Sequence, residues 1–126
     1  MAYAPLIRTQ PLAGFAPKPV IVQIAKGDKT APNPTSWALL RAGDLADGAT
    51  FFRNDLAFAQ NAAFPKDPHF FLTAAGVQAG VALAAQQQIA MFFASHGAVT
   101  IDPDGSDPLF EVPIPSPFQE ALNYIP

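Results

Sequence analysis

Residues 20–25, Val-Ile-Val-Gln-Ile-Ala, constrain the fold of this chain more than any other segment. The run is short, rich in β-branched side chains and mostly apolar on both alternating faces, and it lies between Pro19 and Gly27. Such a run is typical of a central strand in a parallel sheet whose two faces are covered by helices. Pro19 is compatible with this because a proline is tolerated at the first position of a strand. The segment therefore predicts a layered α/β fold.

The segments that follow alternate between helical and extended patterns. Asn33 and Pro34 predict a helix start, with Asn33 as the N-cap and Pro34 as the first helical residue. Residues 50–53 predict a second strand, with residue 58 as the outer limit of its extension, and residues 61–68 predict a loop. Residues 73–95 predict the longest helix, in which Gly76 and Gly80 would permit a close approach to the sheet. Its apolar stripe consists of Val77, Val81, Ala85, Ile89 and Phe93.

The length of 126 residues suits one domain. We expect residues 1–17 to form an extended lead-in and residues 18–97 to form a core of strand, helix, strand, loop and helix. Residues 98–126 are rich in proline but also apolar, so we expect them to pack on the body as an arm. The expected architecture is a partial, mainly parallel sheet with flanking helices.

Composition excludes several classes of protein. Hydrophobic residues make up 50% of the chain and charged residues 13%, which argues against disorder, and a net charge of −3 leaves no basic patch for nucleic acid. The absence of cysteine excludes disulfides, thiolate metal sites and a cysteine nucleophile, and two histidines argue against a dedicated zinc site. Residues 74–94 are apolar but contain four glutamines, which favours a buried helix over a membrane span. No targeting signal is recognisable, and the compartment stays open.

Asp28 and His69 are the residues most able to carry chemistry. Asp28 stands just beyond the carboxyl end of the predicted central strand, where ligands bind in open parallel sheets. His69 follows in the loop before the long helix, and an acid followed by a histidine is the order of the last two members of a hydrolase triad. The alternative is that Asp28 is a turn or capping residue and His69 an ordinary loop histidine beside Pro68.

Residues 18–97 resemble the C-terminal part of the α/β-hydrolase superfamily, in the style of bacterial lipases and esterases. Residues 19–32 look like the strand that carries the acid, with Asp28 and Pro32 in its Asp-x-x-x-Pro continuation. The sequence Asp-Pro-His-Phe at 67–70 looks like the histidine loop, and residues 73–95 resemble the final helix. Ala25 departs from the pattern, because many members carry a glycine at that strand end.

The resemblance implies a serine hydrolase acting on an ester or lipid, without a cofactor. His69 would be the general base and Asp28 the acid that orients it. Phe70 is the candidate substrate contact because it neighbours His69 in the chain, with packing in the core as its alternative. The nucleophile motif Gly-x-Ser-x-Gly does not occur. We therefore expect the chain to be the C-terminal portion of such an enzyme and to be inactive alone. Its partner would be the missing N-terminal hydrolase segment, or a second copy bound through an exposed sheet edge.

A second class of function stays open, namely a non-catalytic binding or interaction protein that retains the hydrolase-like scaffold. Two other motifs receive structural interpretations. We expect His96 to lie at the C-terminal end of the long helix, where a histidine interacts favourably with the helix dipole. Residues 102–107 contain three aspartates, but they lack the spacing of an EF-hand calcium loop, so we expect an acidic surface turn.

Overall fold

Two short apolar strands lie side by side at the centre of the fold. The computed structural model describes residues 3–74, 76–118 and 120–126. Strand β1 (Val22–Ala25) pairs in parallel with β2 (Ala49–Phe52), and β2 pairs on its other side, antiparallel, with β3 (Phe110–Glu111). The resulting three-stranded sheet has the order β1-β2-β3. Sheet and helices together form an α/β arrangement, but the sheet is mixed rather than mainly parallel.

Three α-helices of the described residues accompany the sheet. Helix α1 (Asn33–Gly43) connects β1 to β2, α2 (Asn54–Gln60) follows β2, and α3 (Ala79–Ala94) precedes β3. Short 3-10 helices lie at Ala4–Ile7, Ala46–Gly48 and Gly76–Gln78. The lead-in that we expected to be extended therefore contains a helical turn, in which Ala4 is buried. Residues 1 and 2 of that lead-in lie outside the described residues.

Each face of the sheet carries its own apolar cluster. Ile24 and Phe51 pack with Trp37 and Leu40 of α1 on one face, whereas Ala25, Phe52 and Phe110 pack with Val81 and Ala85 of α3 on the other. Neighbouring residues of a strand point to opposite faces, so β1 and β2 supply side chains to both clusters. The apolar run at residues 20–25 is thereby explained by burial from both sides.

Helix α3 differs from its prediction in where it begins and in which face it buries. It starts at Ala79 rather than at residue 73, and two members of the predicted stripe, Val77 and Phe93, are 49% and 69% exposed. Positions four residues apart advance by about 400° in an α-helix, so a long stripe at four-residue steps rotates away from the sheet. The buried residues within the helix instead follow one another at steps of one, three, three and four positions: Val81, Ala82, Ala85, Gln88 and Phe92.

Two further local predictions are wrong. Residues 54–60 form α2 instead of extending the second strand, with Asp55 in the first turn, where a negative charge interacts favourably with the helix dipole. A Cβ atom added at Gly76 or Gly80 would meet nothing within 4 Å, so neither glycine serves a close approach to the sheet.

The C-terminal segment contacts the body at several places. Ile114 is buried, and the ring of Phe118 stacks on Trp37 with centroids 5.0 Å apart. Farther along, the amide of Asn123 donates to the side-chain oxygen of Asn33 at 3.3 Å. The chain therefore returns to the carboxyl end of β1, where Asp28 lies.

Candidate functional site

The site begins with a sharp turn after β1. Gly27 has a φ of +83°, a left-handed conformation that favours glycine, and it directs the chain into Asp28. Oδ1 of Asp28 accepts the backbone N–H groups of Thr30 and Ala31, both at 2.8 Å. This is the local hydrogen-bonding pattern expected of an aspartate in a turn, and it fixes the position of the carboxylate. The alternative role of Asp28 as a turn residue is thus also real.

His69 reaches Asp28 from the loop that follows α2. Its Nδ1 lies 3.0 Å from Oδ2 and 3.2 Å from Oδ1 of Asp28. Asp67 joins the two loops, because its Oδ1 accepts the backbone N–H groups of Lys29 and His69, both at 3.3 Å. The side chain of Asp28 is 11% exposed and that of His69 31%, so the carboxylate is the more buried partner.

This geometry defines which nitrogen is available for chemistry. A carboxylate can only accept hydrogen bonds, so Nδ1 of His69 is the donor and carries a proton. In a neutral imidazole the proton-free nitrogen is then Nε2, which can accept a proton from a reacting group. A buried carboxylate on Nδ1 also stabilises the imidazolium that would form. The pair is therefore suited to general acid–base chemistry.

A cavity of about 190 Å³ adjoins the pair. Its walls are mostly apolar, and Phe71 and Leu72 form part of them beside His69. The lining residues are Gln23, Ile24, Ala25, Asp28, Ala31, Ser36, His69, Phe71 and Leu72. The cavity is smaller than the roughly 300–1,000 Å³ of most ligand pockets, so it suits a small group and not a large ligand.

The aromatic residues of the histidine loop divide differently from expectation. Phe70 is 73% exposed and does not line the cavity, but its ring meets the His69 ring edge to face with centroids 4.8 Å apart. Phe71 is buried, lines the cavity and stacks on Phe52 at 5.2 Å. The turn of the loop therefore exposes Phe70 beside His69 and directs Phe71 toward the cavity, a division that the sequence did not indicate.

No serine of the described residues is hydrogen-bonded to His69. Ser36 lines the cavity from the first turn of α1, but its hydroxyl makes no hydrogen bond to the imidazole. The hydroxyl of Ser95 is engaged elsewhere, with the carbonyl of Phe92 at 3.0 Å. Acid and base thus meet, whereas the described residues do not place a nucleophile beside them.

Asn33 has a role in the site that sequence reasoning missed. It is the first residue of α1, preceded by Pro32 at the N-cap position, and not the cap itself. Its completely buried side chain donates to the carbonyl of Ala25 at 2.8 Å and accepts the N–H of Gly27 at 2.9 Å. Only its position between two prolines hinted at special backbone chemistry, and that signal pointed to a cap.

A network of ion pairs lies at the carboxyl ends of β1 and β2. Lys26 and Arg53 both bind Asp55, and Arg53 also binds Glu111. Burial by itself raises the pKa of Asp55, but hydrogen bonds from Arg53 and Lys26 outweigh it and lower that pKa to about 2. These four charges balance one another, so the network holds α2 and β3 to the strand ends rather than presenting free charge.

The remaining candidates lie apart from this site. His96 is exposed just after α3 with a φ of +54°, and its N–H donates to the carbonyl of Phe93. Asp104 accepts the N–H of Phe110 at 3.1 Å within the acidic turn. The described part of the chain holds no group of three histidine, aspartate or glutamate residues that could bind a metal ion.

The comparisons with known proteins give no relative for this chain. No family model, no curated protein and no solved structure matches it. Within residues 3–74, 76–118 and 120–126, no helix is both long and apolar enough to cross a membrane.

Proposed function

We propose that Asp28 and His69 are the acid and base of a serine ester hydrolase, and that this chain is the C-terminal portion of that α/β-hydrolase-like enzyme. The observation that carries the proposal is the contact of His69 Nδ1 with both carboxylate oxygens of Asp28, at 3.0 and 3.2 Å. The serine and the oxyanion hole would come from a segment outside this sequence. An ester or lipid is the proposed substrate, and the chemistry needs no cofactor.

In the proposed reaction, Nε2 of His69 takes up a proton and returns it in each of two half-reactions. It takes the proton from the serine hydroxyl as the serine oxygen attacks the ester carbonyl, and the tetrahedral intermediate forms. The imidazolium then returns this proton to the leaving alcohol, which leaves an acyl-enzyme. His69 then takes a proton from water as the water oxygen attacks the acyl carbonyl, and it returns that proton to the serine oxygen as the carboxylic acid leaves. Asp28 holds the ring and stabilises its charged form throughout.

The surroundings of the pair support a role in ester chemistry. The cavity beside His69 has apolar walls, including Phe71 and Leu72, that suit a small acyl group. Phe70 is exposed next to the imidazole and is available to contact the substrate from outside.

The first test is hydrolysis of a nitrophenyl ester. We expect no turnover by the pure 126-residue chain, because acid and base alone lack an acyl acceptor. The coding sequence immediately upstream should encode a Gly-x-Ser-x-Gly segment, and the two polypeptides together should hydrolyse the ester. His69→Ala should abolish that activity. Turnover by the chain alone that is lost in both His69→Ala and Ser36→Ala would place the nucleophile within this chain and overturn the proposal.

The second candidate is a non-catalytic interaction protein. It is favoured by large apolar side chains that are exposed away from the site, among them Leu12 at 60%, Phe15 at 63% and Phe93 at 69%. Exposed apolar groups of this size mark interaction surfaces when they are contiguous. Capture of a partner that survives both Asp28→Asn and His69→Ala, with no hydrolysis in the complex, would favour this candidate.

A further inference from the structure

The C-terminal residues of the chain lie across both loops of the candidate site. We call residues 26–32 the acid loop, residues 61–72 the histidine loop and residues 121–126 the C-terminal strap. In the acid loop, the ammonium of Lys29 lies 6.0 Å from the centre of the Tyr124 ring of the strap. In the histidine loop, Nζ of Lys66 donates to the carbonyl oxygen of Pro126. The strap therefore connects the loop of the acid to the loop of the base.

The strap approaches the acid loop closely at Gly27, which has no side chain. A Cβ atom on Gly27 would lie only 2.5 Å from the carbonyl oxygen of Asn123. Asn123 itself has a φ of +61°, a left-handed conformation in which asparagine is enriched. Its amide donates to the carbonyl of Ala121 at 2.8 Å and to the side-chain oxygen of Asn33 at 3.3 Å. Asn33 also accepts the N–H of Gly27 at 2.9 Å, so the strap is connected to the turn that leads into the acid.

The acid loop and the histidine loop have few direct links in the described part of the chain. One is the contact of His69 with Asp28. The other is the hydrogen bond from the N–H of Lys29 to Asp67, which at 3.3 Å is just beyond the usual length of N–H···O bonds. The spacing of acid and base therefore depends on further contacts, and the strap supplies them from residues outside the proposed chemistry.

The strap is lightly attached to the rest of the body. Within residues 3–74, 76–118 and 120–126, it takes part in no backbone–backbone hydrogen bond. Its large apolar side chains Leu122 and Tyr124 are 49% and 39% exposed. A segment held by few contacts can detach locally without unfolding the whole protein. The described lining of the cavity beside His69 contains no strap residue, so the strap acts on the site through the two loops and not by covering it.

We propose that the C-terminal strap is a positioning element of the acid–base pair, in which Asn123 binds the acid loop and Lys66 binds the far end of the strap to the histidine loop. The seated strap keeps the two loops at the spacing that places Nδ1 of His69 on the carboxylate of Asp28. When the strap is released, the loops separate and the ring loses its orientation. Asn123 is thus a positioning residue that acts through the turn before the acid. The inference rests on the proposed function only for its catalytic consequence, because the geometry of the pair can be measured without a substrate.

A full-length double variant, Asn123→Gly with Lys66→Met, tests the strap at both ends. Glycine still adopts the left-handed backbone but has no side-chain amide, and methionine has nearly the length of lysine without its charge. We expect the population of the Nε2-protonated tautomer of His69, measured by ring ¹⁵N shifts, to rise at least about threefold. The reason is that a ring released from the carboxylate no longer keeps its proton on Nδ1. The urea midpoint should stay close to that of the wild type, because the strap is largely exposed.

Leu122→Ala and Lys18→Met are the matched controls. Leu122 belongs to the strap but to none of the contacts named above, and Lys18 is an exposed lysine of the lead-in. Both variants should keep the wild-type tautomer population. Lys66→Arg should keep it as well, because arginine retains a donor for the carbonyl oxygen of Pro126.

The tautomer population and the urea midpoint together decide whether the strap positions the pair. An unchanged tautomer population in the double variant overturns the inference, whether the strap has left the loops or stays seated without these two contacts. A tautomer change that occurs only with a large fall in the urea midpoint, in the double variant and in both single variants, would reduce the strap to a contribution to stability and overturn the inference too. The proposed function is decided separately: if the chain and the upstream segment fail to hydrolyse the ester while the double variant shifts the tautomer, the strap result stands and the hydrolase does not.

Discussion

His69 and Asp28 are 41 positions apart in the chain, yet Nδ1 of the histidine lies 3.0 Å from Oδ2 of the aspartate. Asp67 stabilises this contact, because its side chain accepts the backbone N–H groups of Lys29 in one loop and of His69 in the other. Because the carboxylate is already fixed by Thr30 and Ala31, the ring is the group that adapts to it.

The first prediction concerns the tautomer of His69. In the neutral ring we expect the proton on Nδ1, because a carboxylate accepts and cannot donate. Asp28→Asn supplies an amide that can donate instead, so the Nε2-protonated tautomer should gain population. The ¹⁵N shifts of the ring nitrogens measure this change. Asp67→Asn is the control, since Asp67 binds the backbone of His69 and not its ring. Equal tautomer populations in the wild type and Asp28→Asn would contradict the assignment.

The second prediction concerns the buried side-chain amide of Asn33 at the carboxyl end of β1. Asn33→Ala would leave the carbonyl of Ala25 and the N–H of Gly27 without their buried partner. We expect the free energy of unfolding to fall by about 2–4 kcal/mol, since each buried unsatisfied group costs about 1–3 kcal/mol. Urea denaturation measures the change. Asn61→Ala is the control, because Asn61 is exposed and its side-chain oxygen accepts the nearby N–H of Ala63, and its effect should stay within about 0.5 kcal/mol.

The third prediction concerns the polar contact between α3 and the sheet. Gln88 is completely buried and forms hydrogen bonds with Gln23 and Thr50 and with the carbonyl of Ile101. Gln88→Leu should lower the free energy of unfolding by about 2–3 kcal/mol, because these partners lose their hydrogen bonds in a buried setting. Gln87→Leu places the same side chain on the exposed face and should be nearly neutral. Similar losses in both variants, measured by chemical denaturation, would refute a specific role for the network.

The fourth prediction concerns two aspartates whose contributions to the free energy of unfolding change with pH in opposite directions. Burial, together with a hydrogen bond that protonated Asp104 donates to the carboxylate of Asp102, raises the pKa of Asp104 to about 6 from its ordinary 3.8. The folded state then binds the proton more tightly than the unfolded state, so this contribution is present at low pH and is lost as pH rises from about 4 to 6. The pKa of Asp55 is lowered to about 2, so its contribution is present above about pH 4 and is lost toward pH 2.

Thermal unfolding at several pH values separates the two aspartates. Asp104→Asn should raise the melting temperature above pH 6 and leave it nearly unchanged at pH 4, whereas Asp55→Asn should reduce it most near neutral pH. Asp107→Asn is the control for a general loss of negative charge, because Asp107 is exposed whereas Asp104 in the same turn is half-buried. A gain for Asp104→Asn that is as large at pH 4 as at pH 8 would contradict the proposed cause.

The buried face of helix α3 is a feature that the sequence alone does not determine. Its apolar composition predicts that residues 79–94 are helical, but composition does not identify the buried face, because apolar residues occur nearly all round. The decisive contacts are the hydrogen bonds of Gln88 with Gln23 and Thr50, which join residues 65 and 38 positions apart. A buried glutamine looks like a surface residue until its partners are known. The predicted four-residue stripe is therefore right at Val81 and Ala85, which are buried, and wrong at Val77 and Phe93, which are exposed.

Local sequence determined the β1 strand, the turn through Gly27 into Asp28 and a helix start next to Pro32, because the conformational preferences of neighbouring residues act over a few positions. The resemblance suggested that Asp28 and His69 pair, but the distance between their side chains is set only when the two loops fold together. The antiparallel position of β3 and the hydrogen bonds of the Asn33 side chain with Ala25 and Gly27 were decided by the tertiary structure alone. Each depends on backbone groups of distant segments that find hydrogen-bond partners in space, and no spacing along the chain encodes such a meeting.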